Sequence, residues 1–314
     1  FADYRPIVAA LGAEDLITAS LGNEVSPIMY HFNCLGCTAI TGDYFEVAWM
    51  ELSPEGEVVK GLDAPAVWEI LREEFLATMI QINHPREGQG LFDHVGYDPA
   101  AGPEGSPPEK LDLNFDAIEV WNGNQGWDHL WSHTLPDWYS FLNRGIRKVA
   151  TGNSDSHGLS QWIGQPRNLV QAGAATDEAF YGALGAGRSQ VTSGPFIELT
   201  VGGGGPGDTV VPPSADAALD LTIRVSAATW IPVDTVLLVG NGAVVQEWPV
   251  DTHEGILRFE VTVQVAPSYD TWYHVVARAT AEDMSPLYPG RESMSFTNPV
   301  WVDRDGDGFD PPIR

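Results

Sequence analysis

The sequence predicts an α/β domain followed by a β-sandwich, and two patterns along the chain carry this fold class. Up to about residue 200, strand-like runs alternate with helical patterns, an order typical of a mainly parallel sheet covered by helices. After Gly202–Gly205, apolar residues recur with a period of two, as in antiparallel strands. The expected domains are residues 1–205, α/β and metal-binding, and 206–302, an immunoglobulin-like sandwich, with an acidic tail at 303–314.

The elements of the first domain follow from local patterns. A helix is predicted from Ala66 to Phe75, because its apolar residues share one face and Asp63 stands at an N-cap position. Helical patterns also cover 127–143, with a break near a proline, and 176–184. The expected strands end in polar residues or glycine, and they are Met79–Ile82, Ala117–Trp121 and Arg147–Ala150.

Two stretches at predicted strand ends carry imidazole and carboxylate groups, Asn83-His84-Pro85 and Ser154-Asp155-Ser156-His157. Residues two apart in an extended segment point the same way, so Asp155 and His157 are expected to face one cavity. This ligand mixture suits Zn, Mn or Fe better than Ca or Mg. In the alternative interpretation, Asp155 caps a turn and His157 is an ordinary polar residue.

Further candidate ligands precede these stretches. Glu24 follows a strand-like run, and His31 comes seven residues later. A single histidine is more often structural than a metal ligand. Five groups of suitable chemistry, four of them at inferred strand ends, predict a transition-metal site formed by Glu24, His31, His84, Asp155 and His157.

The sandwich is predicted from alternation and turn chemistry. Apolar residues alternate with polar ones from Leu219 to Val225 and from Leu257 to Val265. Gly240-Asn241-Gly242 is typical of a tight hairpin between two further strands. Short strands at this spacing favour two packed antiparallel sheets.

The acidic tail resembles the start of a calcium-binding loop. Asp303, Asp305 and Asp307 occupy positions 1, 3 and 5, and Gly308 occupies position 6. Calcium binding is therefore one expectation, and a solvated acidic turn is the other.

Composition restricts the partners and the compartment. A net charge of −27 disfavours nucleic acid and anionic membranes, and no apolar run is long enough to insert into a membrane. The spread of acidic residues suits a secreted or extracytoplasmic protein.

Cys34 and Cys37 form a single C-x-x-C pair, which fits a local disulfide or two inert thiols better than a metal or redox site. The chain begins at Phe1 without methionine, which suggests a processed or trimmed N-terminus.

Several stretches together resemble the PHP family of metal-dependent phosphoesterases, and most closely its carbaryl-hydrolysing, extracytoplasmic branch. The resemblance covers roughly residues 7 to 200. The matching stretches are G-N-E-V at 22–25, Y-H-F-N at 30–33, I-N-H-P at 82–85, I-E-V-W-N-G at 118–123, T-G-N-S-D-S-H at 151–157, G-Q-P-R-N at 164–168 and G-R-S-Q-V-T-S-G-P at 187–195.

This resemblance implies a distorted β/α barrel that holds up to three metals. Glu24 would bridge two metals, His31 and His84 would complete one ligand set, and Asp155 and His157 would serve the second and third metals. The family's first-strand H-x-H pair does not occur in this chain. The barrel is therefore expected to be incomplete at its N-terminus, with a protein partner or a missing N-terminal segment covering the open edge.

The predicted function is hydrolysis of a small-molecule ester, in particular a phosphoester, by a metal-activated water. Arg86 and Arg167 are candidates for stabilising the developing charge, although each also fits a surface ion pair. Asn83 and Asn122 are candidates for orienting ligands. The alternative function is a secreted, non-catalytic binding or structural protein with a residual metal site and calcium at its tail.

Overall fold

The computed structural model describes residues 5–13, 20, 22–26, 30–37, 51–55, 58–88, 90–123, 125–158, 161–250 and 255–310. It divides the chain into two compact units. The first comprises Phe1–Glu119 with Ala172–Gly185, and the second comprises Val120–Gln171 with Ala186–Arg314. The domain boundary predicted at residue 205 therefore lies inside the second unit.

The helices are, in chain order, α1 (Arg5–Ala10), α2 (Ala64–Glu73), α3 (Leu91–His94), α4 (Trp127–His129), α5 (Leu135–Leu142) and α6 (Asp177–Gly185). A 3₁₀ turn covers Pro103–Gly105, and a π-helical turn at Leu130–Thr134 joins α4 to α5. The strands are β1 (Gly22–Val25), β2 (Phe32–Leu35), β3 (Glu51–Leu52), β4 (Val58–Lys60), β5 (Met79–Ile82), β6 (Ala117–Asn122), β7 (Val149–Asn153), β8 (Arg167–Val170), β9 (Ser189–Thr192), β10 (Phe196–Val201), β11 (Thr209–Val210), β12 (Leu219–Ser226), β13 (Thr235–Gly240), β14 (Ala243–Pro249), β15 (Leu257–Val265), β16 (Thr271–Met284), β17 (Tyr288–Thr297) and β18 (Val300–Val302).

The first unit is organised by a sheet in which β2 lies between β1 and β5, and β5 lies beside β6. β2 is antiparallel to both of its neighbours, whereas β5 and β6 are parallel. All four residues of β5 are buried, as its uninterrupted apolar character predicts. Helix α2 packs through Trp68, whose ring lies 5.4 Å from Phe32 and 5.2 Å from Phe115.

The second unit contains two antiparallel-rich sheets that share an apolar core. The smaller sheet has the order β10-β12-β15, and the larger has β11-β18-β16-β17-β9-β8, with the hairpin β13–β14 joined to β16. Alternating residues of β12 and β13 are buried in one cluster, including Ile223, Val225 and Val236. Asn241 and Gly242 turn the hairpin with φ angles of 48° and 83°, the left-handed backbone that such a turn requires.

The predicted fold class, an N-terminally incomplete PHP-type β/α barrel followed by an immunoglobulin-like sandwich, is wrong. Among the residues that the structure describes, strands make up 37% and helices 18%, and no closed barrel exists. Only six residues separate β1 from β2, too few for the crossover that parallel neighbours need, so the two strands pair antiparallel. β9 and β10, expected in the barrel, pair instead with β17 and β12.

Candidate metal site

Three of the five predicted ligands lie together in the first unit. Glu24 is on β1, His31 precedes β2 and His84 follows β5, and a ligand atom from each lies within 4.8 Å of the others. The sheet register brings them together, because β2 pairs with both β1 and β5. The N–H of Asn83 also donates to the carbonyl of His31 at 3.0 Å, which ties the two histidine segments together.

The three side chains meet at the Nδ1 atom of His31. It lies 3.0 Å from Oε1 of Glu24 and 3.1 Å from Nε2 of His84. For metal–nitrogen bonds of about 2.1 Å, two ligand atoms lie about 3.0 Å apart at right angles and about 3.4 Å apart at the tetrahedral angle. The observed separations therefore suit neighbouring ligands of one transition-metal ion.

The possible protonation states of Nδ1 of His31 also favour a bound metal ion. If Nδ1 of His31 carries a proton, it donates to Glu24 and has none to share with His84. If it carries none, it accepts from His84 and faces the Glu24 carboxylate lone pair to lone pair. A cation among the three atoms removes this conflict, because each atom can direct a lone pair towards it. The donor set, two imidazoles and a carboxylate, fits Zn, Mn or Fe.

His84 is held in an uncommon backbone conformation. Its φ angle is 28°, in the left-handed region, although the proline that follows disfavours helical conformations. The turn is fixed by hydrogen bonds from Glu87 N–H to the His84 carbonyl and from Phe92 N–H to the Pro85 carbonyl, both 3.1 Å long. Gly90 permits this turn, because a Cβ there would lie 2.3 Å from the Pro85 carbonyl oxygen. Such strain is common at functional sites.

A buried polar network supports the cluster from the sheet. The amide of Gln81 donates to Oδ1 of Asn83 at 2.8 Å, and the amide of Asn83 donates to Oδ1 of Asn33 at 3.1 Å. The pKa of Glu24 is lowered, first by its hydrogen bond with His31 and further by one with Asn83, against a smaller opposing effect of burial. Both groups stabilise the ionised carboxylate, which is the form that binds a metal.

The other two predicted ligands, Asp155 and His157, lie in the second unit, where they contact each other. Nδ1 of His157 is 2.9 Å from the Asp155 carbonyl oxygen and 3.4 Å from its Oδ1. β7 ends at Asn153, and the φ angle of Asp155 is 45°. A turn therefore brings the pair together, rather than the strand alternation that the sequence predicted. The amide of Asn122 donates to Oδ2 of Asp155 at 3.2 Å, so the predicted orienting role has a matching contact.

The two candidate arginines have protein partners. Arg86 in the first unit donates to Oδ1 of Asp93 at 3.1 Å and to the carbonyl of Tyr97 at 2.6 Å. Arg167 in the second unit donates to the carbonyl of Gly164 at 3.1 Å. Charge stabilisation by either guanidinium stays a prediction.

The acidic tail forms a cluster with a residue that the sequence did not single out. Carboxylate oxygens of Asp270, Asp303 and Asp305 lie within 4.8 Å of one another, and Asp307 is not in this group. The pKa of Asp307 is raised, chiefly by its hydrogen bond with Asp305. Asp270 escaped prediction because it lies 33 residues before Asp303. Calcium binding at this loop stays a prediction.

One buried acid was also missed. Glu119 is only 2% exposed, and its Oε2 accepts the N–H of His84 at 2.6 Å. The sequence signal was present, since Glu119 interrupts the apolar run Ile118–Trp121. A charged residue inside a buried strand needs a specific partner.

Comparisons with known proteins leave the chain without a family. No family model and no curated protein matches it. An engineered protein of known structure aligns at 16% identity over 60% of this chain and 40% of its own length, with a TM-score of 0.21. That likeness is too weak to carry an argument. Among the described residues, no helix is long and apolar enough to cross a membrane.

Proposed function

We propose that this protein is a metal-dependent hydrolase whose metal is held by Glu24, His31 and His84. The convergence of these three side chains on one point carries the proposal. Two histidines and a glutamate form one of the recurrent ligand sets of catalytic zinc, in which three protein ligands leave a further position for water or substrate. Structural zinc sites are instead closed by four protein ligands.

The site is open enough for a substrate to reach it. The side chain of His31 is 34% exposed and that of Glu24 is 33% exposed. A divalent metal bound there would lower the pKa of a coordinated water towards neutrality and polarise an ester oxygen. The protein supplies the rigid frame, since paired strands and the network from Asn83 to Asn33 fix the donor atoms before metal arrives.

The resemblance of the sequence to metal-dependent phosphoesterases supports an ester, and in particular a phosphoester, as the substrate. An extracytoplasmic location is part of the proposal. It is supported by the acidic composition and by the disulfide between Cys34 and Cys37, a bond that persists in oxidising compartments.

The test uses the purified chain with a chromogenic phosphodiester, assayed after metal removal and after reloading with zinc, manganese or iron(II). We expect turnover only in the metal-loaded protein, and its loss in His84→Ala. The matched control is His133→Ala, which removes an exposed imidazole in the second unit.

Two results would count against the hydrolase. Equal turnover before and after metal removal would exclude a metal-activated water. Stoichiometric metal binding through His84 without turnover of any ester tested would favour the alternative, a secreted binding or structural protein that uses the metal for stability.

A further inference from the structure

Glu119 is a buried acid on β6 that contacts the backbone of His84, one of the candidate metal ligands. The parallel ladder between β5 and β6 ends at the pair Ile82 and Ile118, so Glu119 stands one residue beyond it. There, its Oε2 accepts the N–H of His84 at 2.6 Å. The Glu119 side chain thus accepts a backbone N–H just beyond the point where hydrogen bonding between β5 and β6 ends.

This hydrogen bond acts on the residue with the uncommon backbone. With φ at 28°, His84 donates its N–H to Glu119, and a backbone donor left without a partner would destabilise this conformation. The backbone of His84 is then fixed on both sides, by Glu119 at its N–H and by Glu87 N–H at its carbonyl.

We infer that Glu119 is a positioning residue for the metal, acting through the backbone of His84 rather than as a ligand. This inference rests on the proposed metal site. In this role, Glu119 holds His84 in the conformation that places its Nε2 beside His31 and Glu24. Outer contacts of this kind typically change metal affinity by about 10–100-fold when removed.

The chain contains a matched control for this role. Asp116 also directs a carboxylate to a backbone N–H of β5, that of Ile80, at 2.7 Å, and it forms an ion pair with Arg72. It therefore resembles Glu119 in chemistry, and the N–H that it accepts lies four residues before that of His84. Its hydrogen bond falls on Ile80, which contributes no metal ligand.

The experiment measures cobalt(II) affinity, by competition with a chelating dye, and the visible absorption spectrum of bound cobalt. Variants Glu119→Gln and Asp116→Asn keep the side-chain shape and replace the carboxyl group by an amide. We expect Glu119→Gln to weaken cobalt binding about tenfold and to alter the spectrum. Asp116→Asn should match the wild type in both readouts, even if its unfolding midpoint falls. Glu119→Ala should weaken binding further, and Glu119→Gln alone decides the question if the alanine variant does not fold.

The outcomes separate this inference from the proposed function. A wild-type chain that binds cobalt, with Glu119→Gln binding it within twofold and with the same spectrum, overturns the positioning role and leaves the metal site intact. Equal weakening in Glu119→Gln and Asp116→Asn also overturns it, because the effect would then follow general stability. A wild-type chain that binds no cobalt overturns the metal site and this inference together.

Discussion

The polar groups of the two units contrast in how the protein itself satisfies them. In the first unit, Nδ1 of His31 faces both Glu24 and His84, and one proton cannot serve both contacts. In the acidic cluster of the second unit, the backbone supplies donors. Gly306 and Gly308 donate to Asp303, while Arg304 and Asp310 donate to Asp270.

A buried histidine of the second unit has a protein partner for one of its two ring nitrogens. Nε2 of His274 lies 2.7 Å from the hydroxyl of Tyr139, deep in the apolar core. The number of polar side chains therefore does not distinguish these groups from one another. The first-unit cluster differs from the other two groups in one feature: Nδ1 of His31 faces two side-chain partners, each at about hydrogen-bond distance.

The largest expected effect is on zinc affinity, when the imidazole of His31 between Glu24 and His84 is removed. We expect His31→Ala to weaken zinc binding by more than about 100-fold, equivalent to about 2.7 kcal/mol, because it removes the central donor. Competition with a zinc-binding dye measures the affinity, and His133→Ala is the control. If His31→Ala keeps the zinc affinity of the wild type, the first-unit cluster is not the zinc site.

The next effect concerns the acidic cluster. Asp303→Ala should lower the free energy of unfolding by about 2 kcal/mol, because two backbone N–H groups lose a charged acceptor. Urea unfolding in EDTA and in calcium measures this, and Asp305→Asn is the control because Asp305 is exposed. If calcium stabilises the wild type and Asp305→Asn abolishes that gain, the loop binds the cation that the sequence predicts. The acidic cluster would then be a metal site as well, and the contrast with the first unit would be lost.

A smaller effect concerns the buried imidazole. Burial lowers the pKa of His274 to about 3, against a small opposing effect of the Thr297 backbone. Between pH 6.5 and pH 3 the unfolded chain therefore binds a proton that the folded chain excludes, so stability falls as the pH falls, by up to about 1.4 kcal/mol per pH unit. Urea unfolding of the wild type and of His274→Gln between pH 7 and pH 5 measures this. The same slope in both proteins would show that His274 is not excluded from protonation.

Local patterns predicted several elements well. The strand Met79–Ile82 has the bounds that its apolar run indicated, and the helix predicted at 66–75 is α2, at Ala64–Glu73. The hairpin turn at Asn241 and Gly242 follows from chemistry that two residues contain. Such features depend on neighbours within a few positions, which a single sequence displays directly.

The barrel was wrong because strand direction and partner choice are long-range properties. Alternating strand and helix patterns predict parallel pairing, yet the short link between β1 and β2 produces an antiparallel pair. Likewise, nothing local to β9 and β10 indicated that they would pair with β17 and β12. The candidate site was found only in part for the same reason, since Glu119 and Asp270 acquire their roles from distant partners.

The sequence alone specifies the chemical types of the candidate metal ligands and the strand end that precedes His84. It placed a carboxylate at Glu24 and imidazoles at His31 and His84, because the residue types and the breaks in apolar pattern are written locally. Three features depend on the tertiary structure: these three side chains converge, Asp155 and His157 meet through a turn, and Glu119 accepts the N–H of His84. The physical reason is that sheet register sets distances of a few ångströms between residues dozens of positions apart.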